Sequence, residues 1–327
     1  MPGELPKVAF FGSDVIALPL LRWLRREGSG VAQLVGVVSQ PDRRSGRGKK
    51  LQLNPVAAFA RDEGLPLLQP DKPDAVTTAW VQEQGICLCL VMAYGHILRR
   101  ALLDAPPRGF LNLHGSLLPK LRGASPVETA IATGETVTGV SLMRMVRRMD
   151  AGAVADFETV AITEHVSGGQ LREELATACV PLLARALGPA CTGELAFAEQ
   201  DESSATYCRK LSKEDGQLDF GAPAAVLARR IRGLDPWPGC FAEHHGTRLK
   251  LSGGAAEPDH SHAMPGTVLS ADLDGVRVAT GEGVLLLPRL QRPGGKLLPA
   301  PDFLRGYPLS PGDVLEGGPM TELLVKG

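Results

Sequence analysis

Short apolar runs alternate with helical segments through the first ~90 residues, and this rhythm constrains the fold more than any other feature. Lys7–Gly12 (KVAFFG) is apolar and ends in glycine, as a buried parallel strand does. A helix is predicted over Val15–Arg26, capped by Ser13 or Asp14, with Pro19 near its first turn where proline is tolerated. Strands are predicted at Val31–Ser39, Leu65–Leu68 and Ile86–Met92, and helices at Asn54–Glu63 and Pro73–Gln84. Such β-α-β repetition predicts a Rossmann-like, doubly wound, mostly parallel sheet. Right-handed crossovers then place the loops at the strand carboxyl ends, where these folds bind ligands. The first turn, FFGSDVIALP, lacks the later glycines of GxGxxG, so NAD is not expected.

Further on, strands are predicted at Phe110–His114, Thr138–Met145 and Val154–Ile162, and a long helix at Gly168–Gly188 with a kink at Pro181. After it the texture changes. A helix is expected at Pro223–Arg232, then short strands at Cys240–His244, Arg248–Ser252, Gly266–Leu269, Val276–Thr280 and Val284–Leu290. These suit a small OB-like β-barrel. The expected domains are residues 1–189, a linker at 190–205, and a second domain at 206–327.

Asn112 and His114 stand two residues apart in an extended segment, so their side chains share a face, with Leu111 and Leu113 on the other. A carboxamide N–H can stabilise an oxyanion, and an imidazole can accept or relay a proton. By itself the pair could also be a polar strand end.

Residues 112–126 read NLHGSLLPKLRGASP. This stretch resembles the folate-dependent formyltransferase signature, N-x-H-x-S-L-L-P followed by R-G-x-x-P, at Asn112, His114, Ser116, Leu117, Leu118, Pro119, Arg122, Gly123 and Pro126. Asp150, in MDAG, matches the family's D-x-G aspartate. The basic stretch SQPDRRSGRGKKL (39–51), TYCRKLSKEDGQLDF (206–220), IRGLDPWPG (231–239) and LQRPGGKLLPAPDFLRG (290–306) resemble methionyl-tRNA formyltransferases. So does AYGHIL (93–98), where His96 replaces a small or apolar residue. The resemblance spans nearly the whole chain. It implies formyl transfer from 10-formyltetrahydrofolate to the α-amine of methionine on initiator methionyl-tRNA, for translation initiation. It assigns catalysis to Asn112, His114 and Asp150, and folate binding to Leu88, Tyr94, Gly95, Ser116, Leu117, Leu118 and Pro119. It assigns tRNA contact to Arg43, Arg44, Arg47, Lys49 and Lys50. Asp150 would orient the imidazole and raise its pKa.

Charge and cysteine usage limit what remains. With 35 basic and 36 acidic residues, the whole-molecule field is weak, so RNA contact requires a local patch. Five cations in Arg43–Lys50, spaced by Gly46 and Gly48, provide one, although such a loop could simply be solvated. The six cysteines show no chelating spacing, so no metal is expected. His244, His245 and the other scattered histidines read as surface or turn residues. The longest apolar run, Ile86–Tyr94, is too short for a membrane span, and a cytoplasmic monomer is expected. Two other readings stay open: formylation of a small amine such as an amino-sugar nucleotide or glycinamide ribonucleotide, and non-catalytic binding of tRNA or folate.

Overall fold

The computed structural model describes residues 4–45, 50–258 and 261–325. They fall into two compact units. The first comprises Met1–Arg122, Thr138–Val160 and Arg172–Ala205; the second comprises Gly123–Val137, Ala161–Leu171 and Thr206–Gly327.

The chain begins β1 (Lys7–Gly12), α1 (Leu18–Arg25), β2 (Gln33–Val38), β3 (Arg43–Ser45), β4 (Lys50–Gln52), α2 (Pro55–Asp62), β5 (Leu67–Leu68), α3 (Ala75–Glu83), β6 (Leu88–Met92), α4 (Arg100–Leu103) and β7 (Phe110–His114). It continues β8 (Arg122–Gly123), α5 (Pro126–Thr133), β9 (Val137–Arg144), β10 (Val154–Ala161) and α6 (Gly168–Thr192). Seven strands form one sheet in the order β10-β9-β7-β6-β1-β2-β5. Strands β1, β2, β5, β6 and β7 are parallel, and β9 runs antiparallel to β7. β6 is buried along its whole length, as expected of a strand covered on both faces. The strand order reverses between β1 and β6, which creates the crevice at the strand carboxyl ends.

Local signals set the helix starts. The Asn54 side chain accepts from the Val56 and Ala57 amides, with Pro55 in the first turn of α2. Asp74 does the same for α3. Asp14 caps a short 3-10 turn that precedes α1. Helix α6 runs through both Pro181 and Pro189. Among the described residues it is the one helix long and apolar enough to cross a membrane. Leu171, Leu175, Cys179, Leu182, Leu183 and Leu187 along it are buried in the protein, as in a core helix.

The expected linker at 190–205 needs correction. Residues Arg172–Ala205 belong to the first unit. Val154 and Ala198 exchange backbone hydrogen bonds, and Gln200 and Glu202 point back into the unit. The segment is thus tied to the first unit by backbone and side-chain bonds together, with Ala190 and Cys191 buried at its start.

The second unit adds β11 (Tyr207–Cys208), α7 (Ala224–Gly233), β12 (Cys240–His244), β13 (Thr247–Ser252), β14 (Ala255–Glu257), β15 (Val268–Ala271), β16 (Val276–Ala279), β17 (Val284–Leu287), β18 (Arg289–Gln291), β19 (Leu298–Pro299), α8 (Ala300–Gly306) and β20 (Leu324–Val325). Two four-stranded sheets, β12-β13-β18-β19 and β14-β17-β16-β15, share one apolar core with α7. The run predicted as a single strand, Val284–Leu290, is divided at Pro288. Its first half pairs with β14 and β16, and its second half pairs with β13 and β19. Proline has no N–H for a ladder, so it makes the corner where the chain changes sheets. The β12–β13 hairpin pairs His244 with Thr247, leaving His245 and Gly246 as its two-residue turn.

Candidate active site

β7 delivers the first two candidate side chains. Its apolar residues Leu111 and Leu113 are buried on one face, and the alternate positions put Asn112 and His114 on the other. Asn112 is half-buried, and His114 is 6% exposed at the strand's carboxyl end.

One ring nitrogen is hydrogen-bonded and the other faces a carboxylate. His114 Nε2 lies 2.9 Å from the Leu121 carbonyl oxygen. A carbonyl can only accept, so Nε2 carries the hydrogen. Nδ1 then faces the Asp150 carboxylate at 3.7 Å. In the neutral ring the lone pair is therefore on Nδ1.

Leu121 closes a tight loop, Gly115–Leu121. The buried Ser116 hydroxyl donates to Lys120 O at 2.6 Å. Ser141 on β9, which pairs with His114, donates to Ser116 O at 2.7 Å and accepts from the Leu118 amide at 3.0 Å. Ser116 thus shapes the loop from inside, while Leu117, Leu118 and Pro119 are half-buried along it. Gly139 lets β9 approach: a Cβ there would lie 2.6 Å from a Leu117 methyl and 2.2 Å from Glu158 O.

Asp150 sits in the left-handed region at φ 50°, a conformation aspartate tolerates better than most residues. The turn is over-determined. A Cβ on Gly152 would lie 1.8 Å from the Arg144 carbonyl oxygen, so only glycine fits there. Gln200 Nε2 donates to Asp150 O at 2.8 Å and to Gly152 O at 2.7 Å. Its Oε1 accepts from Arg122 Nε and Nη2 at 3.0 and 2.8 Å. Arg122 is fully buried and also donates to both carboxylate oxygens of Glu202, at 3.2 and 3.0 Å. Arg122 first, and then Arg148, hold the Glu202 carboxyl down at about 2. The signature arginine is therefore a structural brace, joined to the Asp150 turn through Gln200. Gln200 and Glu202 had no sequence signal: each is a lone polar residue in a segment without periodicity.

A second set of bonds laces the carboxyl ends of β1, β2 and β6. The Ser13 hydroxyl donates to Tyr94 O at 3.3 Å and accepts from the Gln40 amide at 3.0 Å. Gln40 Nε2 donates to the same Tyr94 carbonyl at 2.8 Å, and Arg43 donates to Gln40 Oε1 at 3.0 Å. Gly95, at φ 75°, is exposed here, and a Cβ would lie 2.7 Å from Gln40 Nε2.

The folate candidates separate on inspection. Tyr94 is a core residue, its ring edge-on to Phe11 at 5.5 Å and its phenol pushed up to about 12 by burial. Leu88 is fully buried at the start of β6, four residues, or ~13 Å of strand, from Met92 at the catalytic end. Both side chains are packed in the interior of the first unit. Leu88 lines a cavity with Phe110, Arg108, Arg144 and Phe197, beside the first residue of β7 rather than the last.

The basic stretch is an antiparallel hairpin rather than a plain loop, with Arg43 paired to Gln52 and Arg44 to Leu51. Arg43 is exposed. Lys50 begins β4, while Arg47 and Lys49 lie outside the described residues. Asp42 anchors the base of the hairpin. Its carboxylate accepts from the Asn54 amide, Gln69 and Arg61 at 2.8, 3.2 and 2.8 Å. Burial pushes this carboxyl up, but those three donors outweigh it and the net shift is down.

Known proteins match the chain along most of its length. A family described as "Formyl transferase" matches residues 6–187, and "Formyl transferase, C-terminal domain" matches residues 210–308. A protein named methionyl-tRNA formyltransferase from Sorangium cellulosum (strain So ce56) is 40% identical over 312 residues, covering 94% of this chain and 99% of the relative. One of the same name from Thermus thermophilus is also 40% identical, covering 94% of this chain and 98% of the relative. Among solved structures, WlaRD, a sugar 3N-formyl transferase crystallised in the presence of dTDP and 5-N-formyl-THF, superimposes with a TM-score of 0.65. It shares 14% identity and covers 90% of this chain and 100% of its own, a likeness of fold.

Proposed function

The chain belongs to the formyl transferase family, and from that premise we propose that it moves the formyl group of 10-formyltetrahydrofolate onto the α-amine of methionine esterified to initiator tRNA. The observation that carries the chemistry is the clamped His114, with Nε2 on Leu121 O, Nδ1 facing Asp150, and Asn112 on the same strand face.

The chemistry follows from that arrangement. The amine attacks the formyl carbon, and the carbonyl oxygen takes up negative charge. The Asn112 carboxamide donates to that oxygen, where a fixed donor is worth more than water. As the C–N bond forms, the amine must lose a proton. His114 Nδ1 takes it, and Asp150 stabilises the imidazolium. The same proton then passes to the departing N10 as its bond to the formyl carbon breaks. The α-amine of an aminoacyl ester titrates near neutrality, so no strong base is needed. The sequence of steps calls on no metal, nicotinamide or covalent enzyme intermediate.

Folate binding is assigned to the loop around Gly95 and to Leu117, Leu118 and Pro119, which border the catalytic strand end. Arg43, Arg44, Arg47, Lys49 and Lys50 are assigned to the acceptor stem, through its phosphates. The 40% identity to methionyl-tRNA formyltransferases over nearly the whole chain favours a tRNA over a small amine. The deciding experiment presents the protein with 10-formyltetrahydrofolate and either charged initiator tRNA, charged elongator tRNA or an amino-sugar nucleotide. Selective formylation of the initiator is expected. Turnover of the sugar alone would overturn the acceptor, and no turnover at all would favour a binding protein.

A further inference from the structure

The turn between β12 and β13 carries two consecutive histidines that the transfer chemistry does not use. His245 and Gly246 are its central residues, at φ 49° and 73°, the left-handed pair that a tight hairpin of this type requires. Asparagine is the usual residue before that glycine, and histidine adopts the same backbone less often.

His244, the last residue of β12, is buried, and its ring nitrogens have different surroundings. Nδ1 lies 2.9 Å from the Tyr307 hydroxyl oxygen. That hydroxyl directs its single hydrogen to the His244 carbonyl oxygen at 3.3 Å. The phenol oxygen must therefore accept from Nδ1, so Nδ1 holds the hydrogen and Nε2 carries a lone pair. Nε2 is buried with no hydrogen-bond partner. What faces it, at 3.6 Å, is Oδ2 of Asp313. Two acceptors confront each other with nothing donated between them.

Asp313 is fixed independently of the histidines. Its Oδ2 accepts from the Ser310 amide at 2.8 Å, and the segment that follows is tied to β12 by a backbone pair between Glu243 and Glu316. One donor atom from each of His244, His245 and Asp313 lies within 4.8 Å of the others. The spacing decides what fits. At 3.6 Å a shared proton makes no hydrogen bond. A tetrahedral ion with bonds of about 2.1 Å has its ligands about 3.4 Å apart.

We propose that His244 Nε2, His245 and Asp313 form a binding site for a divalent transition-metal ion of the zinc class. The donors are two imidazoles and one carboxylate, which suit a borderline ion better than calcium or magnesium. Tyr307 and Ser310 supply the outer bonds that hold the ligands in place, as established metal sites require. Three protein ligands leave a fourth position for water or a partner's donor. The site belongs to the C-terminal β domain and shares no residue with the formyl-transfer set. It also revises the expectation that this chain binds no metal: adjacent histidines and a distant aspartate present no spacing to recognise.

The test is titration of the full-length protein with Zn²⁺ against a chromogenic chelator, and with Co²⁺ read by visible ligand-field absorbance. His245→Asn keeps a residue suited to the turn, and Asp313→Asn keeps an acceptor for Ser310. One saturable ion per chain is expected, with a Co²⁺ spectrum lacking thiolate charge-transfer bands. Outer partners alone are worth about 10–100-fold in metal affinity, so each ligand substitution should weaken binding at least tenfold. Tyr307→Phe should weaken it by roughly tenfold. Thermal melts of the metal-free variants, matching wild type, would show that the fold is intact. Absence of stoichiometric binding, binding unchanged in both ligand variants, or a thiolate-type Co²⁺ spectrum would each overturn the site.

Discussion

The strand end that carries His114 and the hairpin that follows β2 are built on opposite plans, although both leave carboxyl ends of the same sheet. Around His114 the supporting groups are bonded to one another, and His114, Ser116, Ser141 and Arg122 are buried. Leu121 fixes the ring, Ser141 and Ser116 fix the loop, and Arg122, Gln200 and Gly152 fix the aspartate turn. The hairpin is fixed at its base by Asp42, and Arg43 beyond that point is exposed. Proton transfer needs atoms held within a fraction of an ångström, whereas phosphate recognition is long-ranged and tolerates a loosely placed charge. The contrast teaches that precision and reach come from different placements on one scaffold.

The strongest way to break this contrast is to remove the chemistry and leave the brace. Asn112→Ala, His114→Ala and Asp150→Ala should each lower kcat by on the order of 10²–10⁴, with far-UV circular dichroism unchanged. Near-normal single-turnover rates in all three would remove the catalytic assignment. Loosening the brace instead should cost less. Gln200→Ala frees the carbonyls of Asp150 and Gly152, and kcat should fall by roughly 10–10² with little change in KM. A change confined to KM would mean that the turn does not position the aspartate.

Neutralising the hairpin should act through salt rather than through kcat at saturation. Replacing Arg43, Arg44, Arg47, Lys49 and Lys50 should reduce the log–log salt slope of tRNA affinity by about 0.7–0.9 for each phosphate that is no longer neutralised. An unchanged slope would make the hairpin a solvated arm. The smallest effect concerns acid. Glu202 is held at about 2 in the folded protein, against an ordinary 4.5. Its contribution is present above pH 4.5 and lost as pH falls through about 2. The advantage in melting temperature of wild type over Glu202→Gln should therefore be constant above about pH 5 and shrink to nothing in that lower window. A gap that persists at about pH 2 would contradict this role.

What could be read beforehand follows from how each signal is encoded. The strands β1, β6 and β7 and the helices α2 and α3 announce themselves through local pattern, because burial periodicity depends on near neighbours in sequence. Asn112 and His114 stand out through one contiguous stretch and Asp150 through its own MDAG turn, and the fold brings His114 and Asp150 to 3.7 Å. For Leu88 and Tyr94, proximity in sequence to a folate loop does not give side-chain direction. Leu88 is a whole strand length from the site, and Tyr94 turns inward toward Phe11. Arg122 gave no hint that it reaches Gln200 and Glu202, a bond between segments far apart in the chain. Pro288 was visible as a proline, but that one run serves two sheets depends on partners that only the fold assembles.

The anchored base of the hairpin has a consequence for how such a protein can diversify. Asp42, Asn54, Arg61 and Gln69 fix where the excursion leaves and rejoins the sheet, whatever lies between. Lengthening a loop between fixed ends costs little, about 0.6 kcal/mol for each doubling. Insertions or grafts between Arg43 and Gln52 are therefore expected to leave β2 and α2 undisturbed. A chimaera that carries another protein's RNA-reading arm across these same posts should fold as the parent does. Its acceptor preference would then be inherited from the arm, and its rate constant from the sheet.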